Sequence, residues 1–264
     1  MKKNIIYAVI IIFLLTLGGG AYFVNQVPEV SISEPEAISD LFEQGERYFN
    51  HSETGQIYDL EKARYYYTQI IEEDPKAHPL VWYQLGRIDF IEGQFSEALF
   101  KLEKQRDFFP DSGVNPDYLI GLVYGYRARS TGDASDWNDA AQAFASFIIA
   151  VPEAPWPRVD LAWVLFSQGK YEDMKSVLVD GLETNPSNAW LLNMYGLALL
   201  NTDDPQSAHV QFILAKTSVQ DVTEADWGRA YPGNHPEEWG RGLSEFTDAI
   251  EKNITLAEAQ ITEE

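Results

Sequence analysis

The chain has 264 residues, 45% of them apolar and 13% aromatic, with 41 acidic against 19 basic side chains and a formal net charge of −22. That composition excludes disorder over most of the length. So acidic a surface repels nucleic acid, whose binding rests on Lys and Arg neutralising phosphates, and it favours basic partners or simply solubility. There is no cysteine, so disulfides, thiolate-bound zinc, iron–sulfur clusters, thiol catalysis and bacterial lipidation are excluded.

Met1-Lys2-Lys3 precedes an apolar run without a charge over residues 5–24. At about 1.5 Å of rise per residue such a run spans a bilayer as a helix. Two lysines stand before it and no basic residue follows for many positions. The positive-inside rule therefore predicts a cytoplasmic amino terminus and a bulk that is periplasmic or extracellular from about residue 25 onward. Residues 1–24 read as an uncleaved transmembrane signal-anchor of a single-pass membrane protein. A signal peptide with its apolar centre at 5–17, cut before Ala21, is the alternative, and both export the rest. The Pro-bearing polar stretch at 25–35 reads as a linker.

A pattern of about 34 residues then recurs five times. The second copy shows it most fully: Trp82, Leu85-Gly86, Gly93, Phe95, Ala98, Leu102 and Pro110. The fourth repeats the offsets with Leu161-Ala162, Gly169, Tyr171, Met174, Leu178 and Pro186, and the fifth with Tyr195-Gly196, Ala208, Phe212 and Ala215. In the first, Gln44-Gly45 and Tyr48 open one helix while Ala63, Tyr67, Ile70 and Pro75 mark the next. The third has Ile120-Gly121 and Tyr124, then Ala140, Phe144, Phe147 and Pro152, separated by a turn-forming Ser130-Thr-Gly-Asp-Ala-Ser-Asp. Small residues at the eighth and twentieth places let two helices of a hairpin approach. Large apolar residues at the fourth, seventh, eleventh and twenty-fourth fill the space between hairpins, and proline near the thirty-second ends the second helix. No hairpin buries its apolar face alone, so neighbours must stack into one core.

These residues resemble the tetratricopeptide repeat family over about residues 36–220. The resemblance implies an all-α, right-handed superhelical solenoid of about five helical hairpins, at about 36–75, 79–112, 114–153, 155–187 and 189–220. Longer inter-helix gaps in the first and third copies, Met174 where Ala is usual and Gln220 where Pro is usual depart from the pattern.

Residues 221–264 follow as a mostly loop stretch to Pro236, a helix and a tail. Trp239, Leu243, Phe246, Ile250 and Ile254 form an amphipathic stripe. It reads as a C-terminal capping helix with a polar outer face, a docking helix for another protein being the alternative, and the tail at 260–264 as frayed.

No motif carries catalysis, and the expectation is that the chain is not an enzyme and needs no cofactor. His51, His78, His209 and His235 have no ligand spacing and read as isolated loop or surface residues. Asp133-Ala-Ser-Asp136 fails the calcium-loop spacing; Asp136 or Ser135 reads as a helix cap, and no metal is expected. The resemblance implies that the first helix of each hairpin lines a concave groove for a protein or peptide partner. It places Phe42, Glu46, Phe49, Tyr83, Arg87, Phe90, Tyr118, Tyr126, Trp156, Trp163, Phe166, Asn193 and Asn201 there, with some of the aromatics packing between hairpins instead. No Lys/Asn/Arg carboxylate clamp is present. The function expected is a membrane-anchored, extracytoplasmic scaffold or adaptor for cell-envelope complexes, a glycan- or peptide-ligand module being the alternative.

Overall fold

The computed structural model describes residues 36–49, 58–230 and 236–263. The expected anchor and linker, together with His51 and His235, lie outside them. Among the described residues no helix is long and apolar enough to cross a membrane.

Twelve α-helices and no strand are found among the described residues: α1 (Glu36–Phe49), α2 (Leu60–Glu73), α3 (Val81–Ile91), α4 (Phe95–Phe108), α5 (Asp117–Thr131), α6 (Ala134–Ala150), α7 (Trp156–Ser167), α8 (Tyr171–Thr184), α9 (Ala189–Leu200), α10 (Pro205–Ser218), α11 (Glu224–Ala230) and α12 (Trp239–Glu263). Local chemistry sets many of the ends. Asp59, Asn188 and Asp204 each accept a hydrogen bond from the backbone N–H three residues on, at 3.0 Å, satisfying a donor that the first helical turn leaves orphaned. Pro205 occupies the first turn of α10, where its missing N–H costs nothing. Gly93 and Gly169 turn the α3–α4 and α7–α8 corners at φ +75° and +70°, with open space where a Cβ would stand. Backbone conformation, not room, requires glycine there.

The helices form two compact units, one from α1 to the start of α6 and the other from Trp137 through α6–α10 together with α12. In the first, Ile38, Phe49, Ala63, Tyr67, Ile70, Val81, Trp82, Leu85 and Ile88 make a closed apolar cluster across α1, α2 and α3. The expected close approaches are present. A Cβ on Gly45 would stand 2.4 Å from the Tyr67 ring, one on Gly86 3.0 Å from Leu102 and, in the second unit, one on Gly196 2.4 Å from Phe212. Met174, the departure from alanine, is fully buried.

One repeat position breaks the apolar rule. The eleventh place of the second copy is Asp89, fully buried. Its carboxylate takes Arg64 of α2 at 2.5 Å and Lys101 of α4, and Arg64 also reaches Glu92 at 2.7 Å. A buried charge persists only when paired, and two helices, α2 and α4, supply the partners of this one. The turn before α6 also differs from expectation. Asp133, not Asp136 or Ser135, caps α6, accepting from the Ser135 backbone N–H and hydroxyl at 2.8 Å. Asp136 instead holds Arg127 through two bonds of 2.6 and 2.7 Å.

The carboxyl-terminal stretch is more ordered than its sequence implies. The segment read as loop contains α11, opened by Thr223 and Asp226 exchanging reciprocal side-chain to backbone bonds at 2.8 and 3.1 Å. Helix α12 runs through the tail expected to fray. Its apolar face is covered: Phe246 stacks on Trp190 of α9 at 5.2 Å and lies 5.9 Å from Trp227, while Gly242 leaves room for the Trp227 ring. Lys216–Glu251 at 3.0 Å joins it to α10. This is the geometry of a cap.

Candidate partner-binding surface

The expected groove residues sit on α1, α3 and α5 in the first unit and on α7 and α9 in the second. In the first unit the structure brings several of them together. Phe49 is fully buried and carries the Arg87 guanidinium over its ring at 4.3 Å. Phe90 meets Tyr126 edge-on at 5.4 Å. Tyr83 and Tyr118 are buried, and Tyr126 is half-buried. The Tyr83 backbone N–H donates to the buried Gln105 side chain of α4 at 3.1 Å, so α3 is held from behind. Phe42 is half-buried against Tyr67 at 5.5 Å and stacks on His78 at 3.6 Å.

A polar relay runs through this unit. Glu46 Oε1 accepts from the Tyr67 hydroxyl and from Gln84 Nε2, both at 2.5 Å, and Gln84 Oε1 accepts from Arg87 Nη1 at 2.7 Å. Burial holds the Glu46 carboxyl above its ordinary range, against the opposing pull of Tyr67, Arg87 and Gln84. Desolvation also raises the phenols of Tyr67 and Tyr83 and pushes Tyr58 up to about 12. His78 is not a surface histidine: it is 9% exposed, its Nδ1 accepts from the Leu80 N–H at 3.2 Å, and burial depresses its pKa to about 4. The sequence points to Glu46 and Arg87 but not to Tyr67 and Gln84 as their neighbours, nor to His78 as the partner of Phe42. Only Gln84 offered a signal, a polar residue amid an apolar helical run.

In the second unit the expected residues have other engagements. Trp163 is buried edge-on against Trp137 at 5.3 Å, Phe166 packs on Tyr171 at 5.4 Å, and Trp156 is half-buried. Asn193 is buried beneath the cap, its Oδ1 accepting from Asn253 at 3.0 Å. Asn201 Nδ2 donates to the Leu197 carbonyl at 2.8 Å, at the end of its own helix. No group of three His, Cys, Asp or Glu among the described residues could hold a metal ion.

No family model matches the sequence, and no curated protein matches it. Solved structures do resemble the fold. A MamA double mutant (RS-1 ArsTM) has a TM-score of 0.59 at 14% identity, with 72% of this chain and 99% of that one covered. PilW, a widely conserved type IV pilus biogenesis factor, has 0.55 at 13% identity over 86% and 93%. A tetratricopeptide repeat protein from Parabacteroides merdae has 0.53 at 16% identity over 87% and 79%. The fold is thus an all-α helical repeat of the tetratricopeptide type.

Proposed function

We propose that this protein is a membrane-anchored, extracytoplasmic scaffold that receives a segment of a partner protein on the first helices of its hairpins and supports assembly of a cell-envelope complex. The observation that carries the reading is the first unit. There half-buried Phe42 and Tyr126, backed by buried Tyr83, Phe90 and Tyr118, share one series of helices with the Glu46–Gln84–Arg87 relay. Aromatic rings supply large contact area at low conformational-entropy cost, and a few fixed polar groups supply orientation. The apolar run at 5–24, with lysines only before it, supports the topology. PilW, of similar fold, is a pilus biogenesis factor, which supports an envelope role. The absence of any catalytic motif in the sequence supports binding over catalysis.

A photo-crosslinking residue at half-buried Tyr126 should trap one defined partner in native cells, whereas the same residue at Phe100, 54% exposed on the second-helix side, should not. Equal trapping from both positions, or none, removes the groove reading. An alkaline phosphatase fusion after Glu264 should be active; an inactive fusion of normal abundance removes the topology.

A further inference from the structure

The outer face of α10 carries an apolar stripe that lies open to solvent. Val210, Ile213 and Leu214 are 53%, 42% and 46% exposed, and exposed Gln206 and Thr217 continue the line at either end. Steps of three and four residues place all five on one side of the helix. The apolar places stand two, five and six residues beyond Ala208, and Thr217 stands nine beyond it. Beyond Ala63, Ala98 and Met174 the same places carry charge, among them Glu72, Lys104 and Asp180, and beyond Ala140 they hold a single large apolar residue, Ile149. The ionisable side chains of α10 point elsewhere: His209 meets Glu258 at 3.3 Å and Lys216 meets Glu251 at 3.0 Å, both toward α12.

The order of residues along the stripe points to its occupant. In either direction it runs polar, apolar, apolar, polar: Gln206, Val210, Ile213 with Leu214, Thr217. A stripe that reads the same both ways fits itself across a two-fold axis, as a self-complementary interface must. With the axis between residues 211 and 212, Val210 lies on Ile213 and Leu214 of a second copy, and Gln206 lies on Thr217. The two helices then run antiparallel, which sets opposite ends of their dipoles together. Charge favours the same contact. Two chains of net charge −22 each repel one another, and the α10 stripe presents no carboxylate.

We propose that α10 packs antiparallel on α10 of a second copy of this chain, through Val210, Ile213 and Leu214. Helix α10 has 14 residues and is about 21 Å long. One such helix pair falls short of the about 800 Å² per partner typical of a stable interface between free proteins. Anchoring through residues 5–24 compensates, because it holds copies in one plane at high effective concentration. The pairing therefore rests on the membrane tether of the reading above, and not on its groove.

The chain has no cysteine, so single introduced cysteines report contacts without background. The full chain carrying Val210→Cys or Ile213→Cys, oxidised in intact cells, should give a disulfide-linked species of twice the monomer mass. Ile149→Cys, at 83% exposure the more open to random collision, should not. Gln206 and Thr217 each stand about 16 Å along the axis from their own symmetry mates. Neither Gln206→Cys nor Thr217→Cys should therefore link alone, whereas the two co-expressed should. Adding Ile213→Asp to the Val210→Cys chain should lower the yield about tenfold or more, because symmetry sets two carboxylates together; circular dichroism checks that this exposed substitution leaves the fold intact. No doubled species from Val210→Cys and Ile213→Cys, or an equal yield from Ile149→Cys, overturns the pairing. Self-linking by Gln206→Cys overturns the antiparallel register. A photo-crosslinker at Leu214 that traps a protein of another mass and no second copy gives the face to a different partner and overturns the pairing as well. The phosphatase fusion reads topology separately: an active fusion with no doubled species sinks the pairing and leaves the topology, and a doubled species with an inactive fusion does the reverse.

Discussion

Replacing Phe246 with alanine tests whether α12 is a cap integral to the fold. The ring is 6% exposed, stacks on Trp190 and lies tilted against Trp227. Burying an aromatic side chain removes about 150–250 Å² from water, which at about 25 cal/mol per Å² corresponds to roughly 4 kcal/mol or more before any ring–ring term. The substitution should therefore cost about 3–5 kcal/mol, the range seen for Phe→Ala in cores. Urea unfolding followed by tryptophan fluorescence reads it, because Trp190 and Trp227 lie in the affected contact. Thr255→Ala, on the exposed side of the same helix, should change stability by no more than about 0.5 kcal/mol. A loss below about 1 kcal/mol for Phe246→Ala would mean that α12 is a detachable appendage, and the cap argument would fail.

Asn253→Ala should cost about 1–3 kcal/mol by stranding the buried Asn193 amide, read by the same urea titration. Asp89→Ala should cost about 3–5 kcal/mol, because Arg64 and Lys101 lose their shared counter-ion; a near-neutral result in calorimetry would show that the network contributes little. Gly196→Ala, whose Cβ would meet the Phe212 ring at 2.4 Å, should lose about 1–3 kcal/mol through overpacking, whereas Ser207→Ala should not match it. His78 gives a pH signature. Its folded pKa is about 4 against 6.5 unfolded, so the unfolded chain binds the extra proton between those values. Stability should fall as pH drops from about 6.5 to 4, by about 3 kcal/mol in total from this group, and level off below. His78→Asn should flatten that slope; an unchanged pH profile would refute the assignment.

The hairpin architecture was legible because its determinants are local and periodic. Gly45, Gly86 and Gly196 face a large side chain of the second helix, as the repeat spacing implies, and the α12 stripe reads directly as a covered face. What sequence did not disclose depends on partners distant in the chain. Asp89 occupies an apolar repeat position, and nothing near it announces that Arg64 and Lys101 converge on it. Asp136 carries the composition of a cap but is drawn away by Arg127, leaving Asp133 to close the turn. His78 has the local sequence of a loop histidine, and its burial depends on Phe42, from another helix. Of the expected groove residues, Phe49 with Arg87 and Phe90 with Tyr126 are assembled in pairs, while Asn193 is taken up by α12, whose docking position no repeat pattern encodes.

The Asp89 carboxylate has a consequence for how the array opens. Stacked repeats held only by nearest-neighbour packing peel away one after another from an end. Here Asp89 and Lys101 belong to the second hairpin and Arg64 to the first, so parting the two hairpins breaks the Arg64–Asp89 pair as well as the apolar packing between them. Amide exchange should therefore show α2, α3 and α4 opening as one foldon, which would keep the platform carrying Arg87 intact while chain ends breathe.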